Sequence, residues 1–151
     1  MEESLLKWVA VSGGALAIGH RPKSKSLAAL GATHIVTLLS EREGAHDIAQ
    51  AAERAGVEWL WFPLKSGNPA EADERATRAL LRTLRHALLS GGKIFIHCSA
   101  GIHRTGMITT ALLRSLGLNR EESSSLLREL RDVTAAGVGH ARVEWASKFA
   151  D

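Results

Sequence analysis

An α/β fold is predicted for these 151 residues, with a central, mostly parallel sheet of about five strands flanked by helices. Three observations predict it. Short apolar, β-rich runs alternate with amphipathic stretches through the middle of the chain. The amphipathic stretches end at glycine, and helical patterns alone close the sequence. Strand–helix–strand order makes neighbouring strands parallel, because a helix-long crossover returns the chain to the same end of the sheet. The length fits one domain over residues 1–151, and no Pro/Gly/Ser-rich linker, internal repeat or low-complexity tract divides it.

The elements follow in order. Trp8–Val11 and Ala15–Ile18 alternate around Ser12-Gly13-Gly14 and read as a hairpin. Ser24–Leu30 reads as a short helix stopped by Gly31. His34–Leu39 is a buried strand by its branched, apolar content. Ala45–Ala55 is a helix stopped by Gly56, and Glu58–Phe62 is a strand ended by Pro63. Glu71–Leu89 is the longest helix, with Ala76, Leu80, Leu84, Ala87 and Leu88 near helical spacing, and Gly91-Gly92 stops it. Lys93–His97 is a short buried strand. A helix runs from about Arg104 to Leu116. Asn119 and Glu122 form a capping box for the next, over Arg120–Leu130. A last helix covers about His140 to Phe149. In such sheets ligands bind beyond the carboxyl ends of the strands, which singles out the loops 40–45, 63–70 and 98–104.

Composition narrows the class. The chain is 45% hydrophobic and 23% charged, which suits a packed soluble domain rather than a disordered one. No apolar run reaches the roughly eighteen residues of a transmembrane helix. The opening residues lack the basic region of a secretory signal, so none is expected. A net charge of +3 favours anionic ligands weakly. Nucleic acid stays open as a partner but is not indicated, and a monomer is favoured. The single cysteine excludes an internal disulfide and points to a reducing, cytoplasmic compartment. The seven histidines show no zinc-type spacing, so no metal or other cofactor is expected.

The chemistry concentrates in His97-Cys98-Ser99-Ala100-Gly101-Ile102-His103-Arg104-Thr105-Gly106. The segment follows a strand and opens a helix, so its backbone N–H groups and the helix start face one concavity that suits a tetrahedral oxyanion. Gly101 permits a backbone conformation closed to most residues. A thiol at the base of such a nest is favoured as its anion, the nucleophilic form. Arg104 offers a planar fork for two phosphate oxygens, and Thr105 is placed to hydrogen-bond the sulfur. Cys98, Arg104 and Thr105 are therefore the candidate catalytic residues. Ser99, Ala100, Gly101, Ile102, His103 and Arg104 are the candidate phosphate cradle.

This segment resembles the phosphate loop of the cysteine-based protein tyrosine phosphatases, most closely their small, atypical dual-specificity branch. The resemblance extends to Leu16–Gly19, Leu30–Leu39, Trp61-Phe62-Pro63-Leu64, Leu127–Arg131 and His140–Phe149, or about residues 8 to 150. It implies a phosphotyrosine-phosphatase-like fold and hydrolysis of a phosphorylated protein or other phosphoester through a phosphocysteine. By the resemblance, Cys98 is the nucleophile, Arg104 holds the phosphate, and Thr105 supplies the hydroxyl after that arginine.

One position departs from the family. An aspartate usually follows the Phe-Pro-Leu-like strand and protonates the leaving oxygen. Here Pro63-Leu64-Lys65-Ser66-Gly67-Asn68-Pro69 puts Ser66 or Asn68 there, and neither is a useful acid. Three explanations stand. Asp73, Glu71 or His103 supplies the proton, with Asp73 and His103 the leading candidates. Alternatively, the substrate carries a good leaving group, such as an aryl oxide or a pyrophosphate. Or the chain is a phosphate-binding pseudophosphatase. Non-protein substrates, RNA or nucleotide 5′-phosphates or phosphoinositides, are the alternative to a phosphorylated protein.

The remaining polar residues carry milder readings. His97 reads as a hydrogen-bonded strap behind the loop rather than a base. Arg21, Lys23 and Lys25 read as a solvated face, with a phosphate-attracting rim as the alternative. Glu41, Arg42 and Glu43 follow a strand and are weaker candidates for the pocket lining. His140 stands where the family places a water-positioning glutamine.

Overall fold

The computed structural model describes residues 6–150. The single-domain expectation for 1–151 also takes in residues 1–5 and 151, which lie outside the described residues. Five strands form one sheet in the order β1-β2-β5-β3-β4, with β1 Val9–Val11, β2 Gly14–Gly19, β3 His34–Thr37, β4 Glu58–Trp61 and β5 Lys93–His97. Only the β1–β2 hairpin is antiparallel; β2–β5, β5–β3 and β3–β4 are parallel. The expected α/β architecture is thus what the chain adopts.

Side-chain alternation along the strands decides which face each residue serves. Leu16, Ile18, Val36, Ile94 and Ile96 point into the core under α2 (Glu74–Leu89), α3 (His103–Ser115) and α4 (Arg120–Leu130). Ala17, Ile35 and Phe95 point the other way, against Leu27 and the Ile48–Ala51–Ala52 face of α1 (Ala45–Ala55). Both faces of the sheet are covered, which is why the central strands are apolar throughout rather than alternating with polar residues. Among the described residues no helix is long and apolar enough to cross a membrane.

Several boundaries moved, each for a local reason. The longest helix begins at Glu74 rather than Glu71, because the Asp73 side chain accepts the Ala76 amide as N-cap. Pro69–Glu71 upstream is a separate 3-10 turn capped by Asn68. The buried face of α2 is Thr77, Leu81, Leu84, Ala87 and Leu88; Ala76 is exposed and Leu80 half-buried. Ser24–Leu30 is 3-10 rather than α-helical. The closing helix splits into α6 (His140–Ala146) and a 3-10 turn over Ser147–Phe149. A short α5 (Asp132–Gly137) escapes the sequence pattern, being one and a half turns without a side-chain cap. The Asn119–Glu122 capping box of α4 forms as expected.

Candidate active site

The sheet order places β5 between β2 and β3, so the chain leaving His97 emerges at the centre of the sheet's carboxyl edge and turns directly into α3. Cys98 sits at this turn, 3% exposed. The Gly101 amide donates to its sulfur at 3.3 Å and the Thr105 hydroxyl at 3.1 Å. Two donors and the positive end of α3 thus converge on one sulfur, and each favours negative charge there. The Gly106 amide is spent on the Ile102 carbonyl. Among the described residues, the amides of Ser99, Ala100, Ile102, His103 and Arg104 have no protein acceptor, which leaves a row of donors available to an oxyanion.

The loop is held from behind and from both flanks. Gly101 has φ +75°, and a Cβ there would lie 2.3 Å from the backbone of Gly19, so glycine is demanded twice over. Arg21 donates its amide to the Ser99 carbonyl. On the other flank, Arg131 and the Thr134 hydroxyl both donate to the Gly101 carbonyl. Behind it, His97 is fully buried and held neutral, its pKa lowered to about 4 chiefly by burial. A carbonyl only accepts, so Nδ1–H donates to the Cys98 carbonyl at 3.0 Å. Nε2 must then accept from Thr37 Oγ1 at 2.8 Å, which in turn accepts the Trp59 indole N–H. His97 is a strap, as its position in the sequence suggested.

Arg104 is the most tightly specified cation in the site. Its Nη1 and Nη2 donate to Glu43 Oε1 and Oε2, both at 2.8 Å, and Nη1 also reaches the Leu64 carbonyl at 2.8 Å. Glu43 is itself fixed by the Ser40 amide at 2.8 Å. The Arg104 hydrogen bond holds the Glu43 carboxyl down to about 2, and Glu43 raises the guanidinium further above its ordinary range. One edge of the fork is thereby occupied, and the geometry leaves Nε and the remaining Nη2 hydrogen for a ligand.

A family model described as the Swiss Army Knife protein's DSP-PTPase phosphatase domain matches residues 3–144. The chain belongs to that family. The phosphatase is also similar in fold to several solved structures. Kinase associated phosphatase with a serine in place of its catalytic-site cysteine is 17% identical, with a TM-score of 0.80 over 95% of this chain and 92% of that one. A putative protein tyrosine phosphatase from Leishmania major is 16% identical, TM-score 0.70, covering 97% and 99%. The core catalytic domain of the PP-IP phosphatase SIW14 from S. cerevisiae is 17% identical, TM-score 0.65, covering 95% and 85%. No curated protein matches the chain by sequence.

Several of the remaining candidates of the phosphatase lie in or beside the loop 63–71. Asp73 is turned away into the α2 cap, its Oδ2 2.8 Å from the Ala76 amide. Glu71 Oε1 accepts from the Ser66 hydroxyl at 2.8 Å. Arg142 pins the same loop through the Gly67 carbonyl at 2.6 Å, and Gly67 lies so close to His103 that a Cβ would sit 2.8 Å from the histidine's own. His103 is exposed at the mouth of the phosphate loop. His140 is 79% exposed and neighbours the Arg120–Glu144 pair. Arg21 is a strap rather than a free rim charge, donating to the Glu43 and Gly44 carbonyls. The roles of Arg131, Thr134 and Arg142 escaped the sequence, since a lone arginine in a polar stretch looks like a surface charge until its carbonyl partners are in view.

Proposed function

We propose that this phosphatase hydrolyses phosphomonoesters, with phosphotyrosine and phosphoserine or phosphothreonine as substrates, through a phosphocysteine on Cys98 and without a cofactor. The observation that carries the reading is the sulfur held by Gly101 and Thr105 beneath a row of uncommitted amides, with Arg104 clamped at the rim. The thiolate attacks phosphorus, the P–S bond forms, and the ester P–O bond breaks. Residues 99–104 and Arg104 take up the charge on the equatorial oxygens in the transition state. Water then attacks phosphorus, the P–S bond breaks with Thr105 stabilising the departing thiolate, and phosphate leaves.

Of the two leading proton donors, Asp73 is engaged through Oδ2 in capping α2, whereas His103 stands exposed at the mouth of the phosphate loop, so His103 is the donor in this reading. A nucleophilic thiolate suits a reducing compartment such as the cytoplasm. An anhydride or aryl phosphate needs no proton at all. The missing aspartate in loop 63–70 therefore supports a second reading in which the bond broken is an anhydride, as at the triphosphorylated 5′ end of a nucleotide or RNA; a 5′-monophosphate or a phosphoinositide is an alkyl ester and depends on His103 as a phosphoserine does.

A panel of phosphotyrosine, phosphoserine, phosphoinositide and 5′-phosphorylated RNA, assayed with wild type and Cys98→Ser, tests both readings. Turnover of at least one substrate by wild type, none by Cys98→Ser, and phosphate binding by both is expected. Equal turnover by the two proteins sinks the nucleophile. Binding by wild type without release, even in single turnover, makes the chain a pseudophosphatase.

A further inference from the structure

Hollows of the molecule lie along α2, away from Cys98. One, of about 190 Å³, is lined by Arg78, Leu81, Arg82, Arg85, Ser115 and Phe149; another is lined by Glu74, Arg75, Arg78 and Arg82. We propose that this cleft between α2 and the C-terminal turn is a second, non-catalytic site that binds a cluster of phosphate groups. Arg75, Arg78, Arg82 and Arg85 recur every three or four residues, so they project from one side of the helix. With Lys148 they set five cations against one paired carboxylate among the described residues, Glu74. That local excess exceeds the +3 of the whole chain, so this face is a concentrated basic patch.

The wall is built before any ligand arrives. Arg78 Nε and Nη2 donate to Glu74 Oε2 at 3.2 and 2.9 Å, and Nη2 also reaches the Lys148 carbonyl at 3.1 Å. Its guanidinium lies 4.9 Å from the centre of the Phe149 ring. Arg82 is exposed and Arg85 half-buried, and no carboxylate among the described residues pairs with either or with Arg75. Like charges at this spacing repel, so the helix carries a destabilising pattern that a polyanion relieves. The hollow has the volume of roughly six water molecules, room for a small cluster of phosphates. Ser115 ends the helix that His103 begins, which puts its base roughly 18 Å along α3 from the phosphate loop.

The same clustered phosphates occur in soluble polyphosphates and in phosphoinositide headgroups. Titration calorimetry of the full chain with tripolyphosphate, carried out in an Arg104→Ala background to disable the catalytic site, tests the inference. Binding in that background is expected, weakened by about tenfold or more when Arg82→Gln and Arg85→Gln are added. The double variant with Arg104 intact should keep or slightly raise its melting temperature and hold its aryl phosphate kcat/KM within about twofold. Co-sedimentation with phosphatidylcholine vesicles, with and without phosphatidylinositol bisphosphate, distinguishes the sources. Vesicle binding lost with Arg82 and Arg85 identifies the headgroup; tripolyphosphate binding alone identifies a soluble ligand. Absence of tripolyphosphate binding in the Arg104→Ala background, or binding indifferent to the two arginines, overturns the site.

Discussion

Replacing Glu43 by glutamine probes how much of catalysis rests on the ion pair that holds Arg104. The change keeps the shape and one acceptor oxygen. It removes the negative charge and turns one of the two 2.8 Å contacts to Arg104 into a donor facing a donor. The Glu43 carboxyl is lowered from 4.5 to about 2, which corresponds to about 3 kcal/mol of interaction in total. Glu43 is 32% exposed, so solvent screening leaves roughly 1–2 kcal/mol of that. If this energy fixes the guanidinium for the transition state, kcat/KM toward p-nitrophenyl phosphate falls by roughly 5- to 30-fold. Inhibition by vanadate should weaken in parallel, while circular dichroism stays unchanged. A Glu43→Gln enzyme within about twofold of wild type in both measurements would refute the idea that the ion pair positions Arg104.

Other outcomes follow from the same geometry. Gly101→Ala forces a Cβ into the Gly19 backbone at a positive φ, so the variant should lose activity and at least about 2 kcal/mol of stability; a normal denaturant midpoint contradicts the packing. His97 binds its proton more weakly in the folded state (about 4) than in the unfolded chain (6.5). Its contribution is complete above 6.5, and roughly 3 kcal/mol is lost as pH falls from 6.5 to 4. Urea midpoints across that window should therefore drop in wild type and flatten in His97→Asn; parallel curves argue against a buried neutral imidazole. His103→Ala should slow an alkyl phosphate by about 10²-fold or more and an aryl phosphate far less; equal effects on both remove His103 as the proton donor.

The central element was legible because its residues are contiguous. Cys98 to Thr105 carries nucleophile, cradle and cation within eight positions, and the strand before and helix after announce themselves by burial and glycine. The contacts that orient those groups were not, because they join distant parts of the chain. Glu43 and Arg104 are 61 residues apart, and Arg131 reaches Gly101 across 30. Glu43 stood in a loop already marked by the sheet topology; the Ser40-x-x-Glu43 capping-box spacing sets it apart from Glu41, but as a cap and not as the partner of Arg104. Arg21 read as solvated charge because the Glu43 and Gly44 carbonyls it straps come together only in the fold. The α5 turn depends on the extended Arg131 that breaks the chain before it, which no cap or spacing reveals.

The most direct measurement is rapid acid quench of enzyme with a labelled aryl phosphate, followed by peptide mass spectrometry. A phosphoryl group on the peptide carrying Cys98 is expected, formed as a burst, absent in Cys98→Ser and longer-lived in Thr105→Val. Full turnover with no covalent phosphate on that peptide would contradict the account.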